Sequence, residues 1–206
     1  MKKISSICFL CFFLSLQLIG QSKENSFSVL SGPEKWWVVW HPFKAKKALE
    51  VSLRSLEVTD SIKKAGFIGA DMNGGGLDAF KHAYWMASLS ERIGQSASLK
   101  LGKAHEKGNY KSFLKGNPED GALPDKVSSE MDLFNNKAGA QLSRKQSDTD
   151  ESVLIEMVLD LLQQGKLRVI KKEGSLFLTC EGIPIAQSSL NGLWENDKCL
   201  IPSNQL

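Results

Sequence analysis

Residues 78–85 read Asp78-Ala79-Phe80-Lys81-His82-Ala83-Tyr84-Trp85. Asp78 and His82 are four apart and Trp85 follows one turn on, so on a helix the three share a face. Phe80 and Tyr84 then turn elsewhere, to a core or a pocket wall. The pattern predicts a helix over 78–93, closed by Gly94, with a polar face that carries chemistry. An Asp beside a His orients the ring, fixes its tautomer and supports its protonated form, or shares a metal with it. The competing explanation is an intrahelical pair in which Asp78 only favours the helix dipole.

Outward from this helix the chain keeps the same character. After Pro42, Phe43, Leu49, Leu53, Leu56 and Ile62 recur at roughly helical spacing, and Gly66 and Gly69 end that element. Asp71 to Gly76 reads as a loop. Ser96 to Lys107 reads as a third helix closed by Gly108, and Asp125 to Ser143 as a fourth. Asp150 to Gln164 is a fifth, with Leu154, Val158 and Leu162 on its apolar face and Gly165 as its stop. Asn109 to Pro124 is polar and Gly/Pro-rich, a surface excursion. Leu167–Ile170 and Leu176–Cys180 flank a Gly-containing turn and predict a β-hairpin. The expected fold is mainly α, a single helical domain of about five helices over 36–165 with a small C-terminal β-hairpin appendage and irregular tail over 166–206.

The N-terminus reads differently. Met1-Lys2-Lys3 is a positive start, Ile4 to Ile19 is almost wholly apolar, and Gly20-Gln21-Ser22 follows. This is the pattern of a signal peptide over 1–20, too short for the roughly 20 residues of a span. Residues 21–35 then form a flexible lead-in, and the protein is expected to be exported, to periplasm, envelope or medium, with no transmembrane segment left after cleavage. Removing Lys2 and Lys3 from the 26 basic residues leaves 24 against 23 acidic ones, so the mature chain is nearly neutral. No Lys/Arg run forms a nucleic-acid footprint. Cleavage leaves Cys180 and Cys199, and two cysteines in an exported chain are expected to form a disulfide. Trp36-Trp37-Val38-Val39-Trp40 either touches a membrane or packs on the core, and packing is the expectation.

Two further segments answer the first. His105 and Glu106 are adjacent and diverge by about 100° on a helix. His105 is taken as the ligand or base, with Glu106 behind it or in solvent. Asp132 and Asn136 are four apart, with Asn135 and Gly139 near the same face. Adjacent asparagines are poor helix formers and require partners, while Gly139 admits a close backbone. An alternative explains the acids as a capping box, with Ser129 as N-cap, Asp132 three residues on and Glu130 favouring the dipole. That alternative leaves Asn135 and Asn136 unexplained. Asp71-x-Asn73-x-Gly75-Gly76 imitates half of an EF-hand loop, but its twelfth position is His82 where calcium requires a Glu, so an Asx turn is expected.

The order D-A-F-K-H-A-Y-W, A-H-E and E-M-D-L-F-N-N resembles a bacterial family of mainly α-helical domains of unknown function, found in exported proteins and at the ends of toxin-like chains. The resemblance spans roughly Trp40 to Leu142. It implies roles for Asp78, His82, Trp85, His105, Glu106, Glu130, Asp132, Asn135 and Asn136. Lys81 stands where the family often has Arg, which removes a bidentate anion contact. The glycine loop before an Asp and a His also resembles secreted phospholipases A2. Those carry a dense disulfide frame and a His-Asp doublet, whereas Ala83 follows His82 here, so only the reaction class carries over.

The sequence therefore predicts a hydrolase of phosphodiester or lipid ester bonds. Asp78, His82, His105, Asp132 and Asn136 are its catalytic set, and Trp85, Glu106, Glu130 and Asn135 serve binding. If a divalent metal takes part, His82, His105 and Asp132 are its ligands, and zinc suits that mix better than calcium. The alternative is a non-catalytic envelope or binding protein whose polar motif is a structural network.

Overall fold

The protein is described from a computed structural model, which covers residues 27–118, 122–142 and 149–205. Helices α1 (Gly32–Trp40), α2 (Pro42–Ala65), α3 (Gly76–Ile93), α4 (Gln95–Phe113), α5 (Lys126–Leu142) and α6 (Glu151–Gln163) precede strands β1 (Arg168–Ile170), β2 (Lys172–Glu173) and β3 (Leu176–Phe177), the single turn α7 (Gln187–Leu190) and β4 (Leu200–Pro202). The fold is mainly helical, with more helices than the five expected. The extra ones are α1 and the short α7. The expected signal peptide over 1–20 and residues 21–26 of the expected lead-in lie outside the described residues. From Gly32 onward the lead-in is already helical, because Ser31 and Glu34 form a reciprocal capping box.

Helix α3 is the axis of the molecule, enclosed by α2, α4, α5 and α6. It is apolar on nearly all sides, as a central helix must be. Leu77, Ala79, Phe80, Ala83, Met86, Ala87 and Leu89 have no solvent exposure. Phe80 and Leu77 meet Val58 and Ile62 of α2 and Leu154, Val158 and Leu162 of α6. Met86 and Leu89 meet Trp37, Ala97 and Leu101 on the opposite side. Each such side chain contributes about 1.5–3 kcal/mol by leaving water. Helix α5 comes closest: a Cβ on Gly139 would overlap the Ala83 carbonyl. Gly139 thus does what its position implied.

Four expectations are corrected. Gly108 does not stop α4, which continues to Phe113. Its lack of a Cβ instead makes room for Ser31, whose Oγ would lie 2.5 Å from an added Cβ. The hairpin forms around Gly174, but its first strand is Lys172–Glu173 rather than 167–170. β2 and β3 pair through two residues each, while β1 pairs antiparallel with the distant β4, in register Arg168↔Pro202 to Ile170↔Leu200. The tryptophan cluster does not pack as a unit: Trp37 is buried, with Nε1 donating to the Ala97 carbonyl at 3.0 Å, but Trp36 and Trp40 are exposed. Finally, the cap of α5 is Asp125, whose Oδ1 accepts from Ser128 N at 2.8 Å while Ser128 Oγ accepts from Asp125 N at 3.1 Å. Ser129 plays no part in that cap, so the capping alternative for Asp132 falls.

The C-terminal segment is threaded into the core. Leu167, Val169 and Ile170 are fully buried. Ile170 joins Val127, Met131 and Phe177 in a third apolar cluster. The disulfide forms: Cys180 and Cys199 are bonded, with Cα atoms 4.9 Å apart. Among the described residues no helix is long and apolar enough to cross a membrane.

Candidate functional site

The site begins at the entry to α3. Asp71 Oδ1 accepts from Asn73 N at 2.9 Å, the expected Asx turn, and Gly74 follows at φ 85°. Gly74 N then donates to Asp78 Oδ2 at 2.9 Å. One oxygen of Asp78 thus closes the loop and the other, Oδ1, faces inward. Lys81 Nζ lies 3.0 Å from that Oδ1 and His82 Nε2 lies 3.6 Å from it. Because α5 is pressed against α3 at Gly139, Asp132 arrives from the facing helix with Oδ1 3.3 Å from His82 Nε2. Asp78, His82 and Asp132 are all buried, and each offers one ligand atom within 4.8 Å of the other two. No other group of three or more such side chains with metal-holding geometry occurs among the described residues.

The electrostatics are set by burial. It drives the His82 imidazole well below its ordinary range, the charges of Lys81 and His105 add to this, and the neighbouring Asn136 works against it. Burial likewise pushes the Asp132 carboxyl well above its ordinary range, helped by the carboxylates of Asp78 and Glu106. Burial therefore favours the neutral form of both groups. The Asp132 oxygen nearest His82 and His82 Nδ1 are buried without a well-formed hydrogen bond.

The structure gathers some of the sequence candidates and not others. Asp78, His82, Asp132 and Asn136 come together. His105 lies behind, its ring centroid 6.4 Å from that of His82, and its Nδ1 is 3.0 Å from Glu34 Oε1. Glu106, placed by sequence in a supporting or solvated position, is buried and accepts from Ser129 Oγ at 2.6 Å and Asn109 Nδ2 at 3.3 Å. Trp85 sets the edge of its ring against His105 and donates to Ser52 Oγ at 2.8 Å. Asn135 faces the other way. Its Oδ1 accepts from Arg168 N at 2.8 Å and its Nδ2 donates to Arg168 O at 2.9 Å, clamping β1. Glu130 is exposed and away from the pocket. Lys81, Asn73, Asn109 and Ser128 line the pocket without having been singled out as site residues. Only Lys81 carried a signal, its place inside the motif.

Asp78, His82 and Asp132 line a small polar cavity of ≈ 40 Å³. That is room for a water or an ion. A roomier depression of ≈ 400 Å³ on another face includes Arg54 and Glu151. Those two charges already satisfy each other at 2.6 Å. Neither a curated protein nor a solved structure matches the chain. One family does, described as a domain of unknown function (DUF6973), over residues 35–166. Those residues run from α1 through α6 and include Asp78, His82 and Asp132, and the chain belongs to that family.

Proposed function

We propose that the chain is an exported, metal-assisted hydrolase of phosphodiester or lipid ester bonds, with Asp78, His82 and Asp132 as ligands. One observation carries the reading: the buried convergence of two carboxylates and a neutral imidazole on one small polar cavity. A tetrahedral site with bonds of about 2.0–2.1 Å sets its ligand atoms about 3.3 Å apart. The His82–Asp132 separation of 3.3 Å and the His82–Asp78 separation of 3.6 Å fit that shape. The donor set, one imidazole and two carboxylates, suits zinc, and three protein ligands leave a position for water. A cation held by these three residues would supply an activated water. Lys81, beside Asp78, offsets negative charge developing on a phosphoryl or carbonyl oxygen. Asn73 and Asn109, which line the cavity, offer amide hydrogen bonds to substrate oxygens. His105 with Glu34, and Glu106 with Ser129, hold the surrounding helices rather than the reacting atoms. The disulfide supports export, since such bonds persist in oxidising compartments.

Elemental analysis of the purified protein tests the reading. Stoichiometric metal is expected, lost in both His82→Ala and Asp132→Ala with helical content retained. Turnover of a chromogenic phosphodiester or ester should fall by at least about 10²-fold with it. Metal-free protein with turnover that survives chelation would leave His82 with Asp78 as an acid/base pair. Absent turnover, together with a His82→Leu variant more stable than the parent, would instead favour the structural network, which the narrowness of the cavity recommends as the second reading.

A further inference from the structure

We propose that α1 and the first turn of α2 form a docking ridge for an anionic membrane surface, with lysines of α4 and α2 supplying the charge. The site of the previous section plays no part in this. Trp36, Val39 and Trp40 occupy the outer side of α1, and Phe43 opens α2 one residue past the junction. Their exposures are 65%, 58%, 74% and 94%. Large apolar side chains left in water this close together mark an interaction surface. The ridge is preformed. Trp37 pins α1 to α4 through Ala97 O at 3.0 Å, and Glu34 pins it through His105 Nδ1 at 3.0 Å. Nothing therefore has to fold for the indoles to be presented.

Charge decides which partner fits. Lys100, Lys103, Lys107 and Lys111 stand at steps of three and four along α4, all exposed. This row lies next to the side of α4 that holds α1. Lys111 Nζ is 3.6 Å from where a Cβ on Gly32 would sit. Lys47 adds exposed charge just behind Phe43, while Lys46 beside it is paired with the exposed Glu50 at 3.8 Å. Neither helix offers an exposed acid to offset the row: Glu106 is the acid of α4 and is buried on Ser129, while Glu34 is the acid of α1 and is turned to His105. In a chain of 26 basic and 23 acidic residues this is a marked one-sided concentration. Phosphate backbones of a nucleic acid would satisfy the lysines but leave two indoles, a valine and a phenyl ring in water. A bilayer interface takes both, with the rings at headgroup depth and the ammonium groups on anionic lipid.

The test uses the full chain with vesicles whose acyl chains carry bromine, which quenches only tryptophans that enter the interface. Quenching and a blue shift are expected on phosphatidylglycerol-rich vesicles, with little on phosphatidylcholine alone. Trp36→Ala/Trp40→Ala should abolish the quenching with circular dichroism unchanged. Lys100→Gln/Lys103→Gln/Lys107→Gln should lower partitioning on the order of a hundredfold, from roughly fivefold per lysine near an anionic surface. Vesicle binding without tryptophan quenching would assign attachment to the apolar run Ile4–Ile19 and overturn the proposal. Salt-dependent binding of duplex DNA by a chain that vesicles do not quench would overturn it in favour of nucleic acid.

Discussion

Glu34 joins two helices through one carboxylate. Burial on its own raises such a group, but the hydrogen bond and charge of His105, with two bonds to Ser31, outweigh it and hold Glu34 at about 2 against an ordinary 4.5. Its folded value is depressed, so it contributes stability that is fully present above about pH 4.5 and lost as pH falls through about 2. Thermal melts across that window should show a falling Tm, and Glu34→Gln should flatten that fall while lowering Tm at neutral pH. Gly139→Ala makes a harsher test, because the added carbon meets a backbone carbonyl that has no room to yield. A loss of at least about 1–3 kcal/mol in urea unfolding is expected. At this scale much of the site is legible in sequence: Asp78, His82, Asp132 and Asn136 converge as their four-residue spacings imply. What is not legible is that Glu106 rather than His105 turns to the interior beside them. Adjacent residues differ by a rotation, and that rotation is fixed by Ala97, Leu101 and Ala104 packing around Trp37, which lies far away in the chain.

The elements follow the sequence where their causes are local. Gly66 ends α2 at φ 70° and Gly94 ends α3 at φ 86°, as left-handed positions invite. Helices α5 and α6 appear within a residue or two of their expected bounds. The local hairpin at Gly174 forms, whereas the partner of β1 is missed because that pairing is not local. Nothing between residues 167 and 180 announces that Arg168–Ile170 will seek Leu200–Pro202. The two asparagines do carry a signal, since they demand partners inside a helix, but the sequence does not say that Asn135 would find a strand and Asn136 a histidine. Asn135→Ala should therefore cost about 2–4 kcal/mol, because the Arg168 N–H and carbonyl each lose a partner. Hydrogen exchange should show the cause directly, with faster exchange at Arg168 and its strand neighbours than elsewhere in the core.

At the scale of the whole molecule, the family match ends at residue 166, yet the remaining residues hold the site loop in place. Ile170 N donates to Gly74 O at 2.7 Å, and Lys172 Nζ reaches Asp71 Oδ2 at 2.6 Å and Asn73 O at 2.5 Å. Lys198, next to the bridged Cys199, is 2.5 Å from the helix-capping Asp125. Cys180→Ser opens a bridge between residues 19 apart and should lower stability by roughly 3 kcal/mol in the chain-entropy account. Exchange should quicken in β1–β4 and also at Asn73 and Gly74, whereas a detached appendage would leave those two amides unchanged. The same contacts impose an order in time. A chain made from its N-terminus has Asp71 to Asp78 in hand long before residue 172 exists. The loop that presents Asp78 must wait for a segment made 101 residues after Asp71 to arrive and fasten it. The acid at the head of α3 therefore takes its final place only when that later segment folds back over the loop.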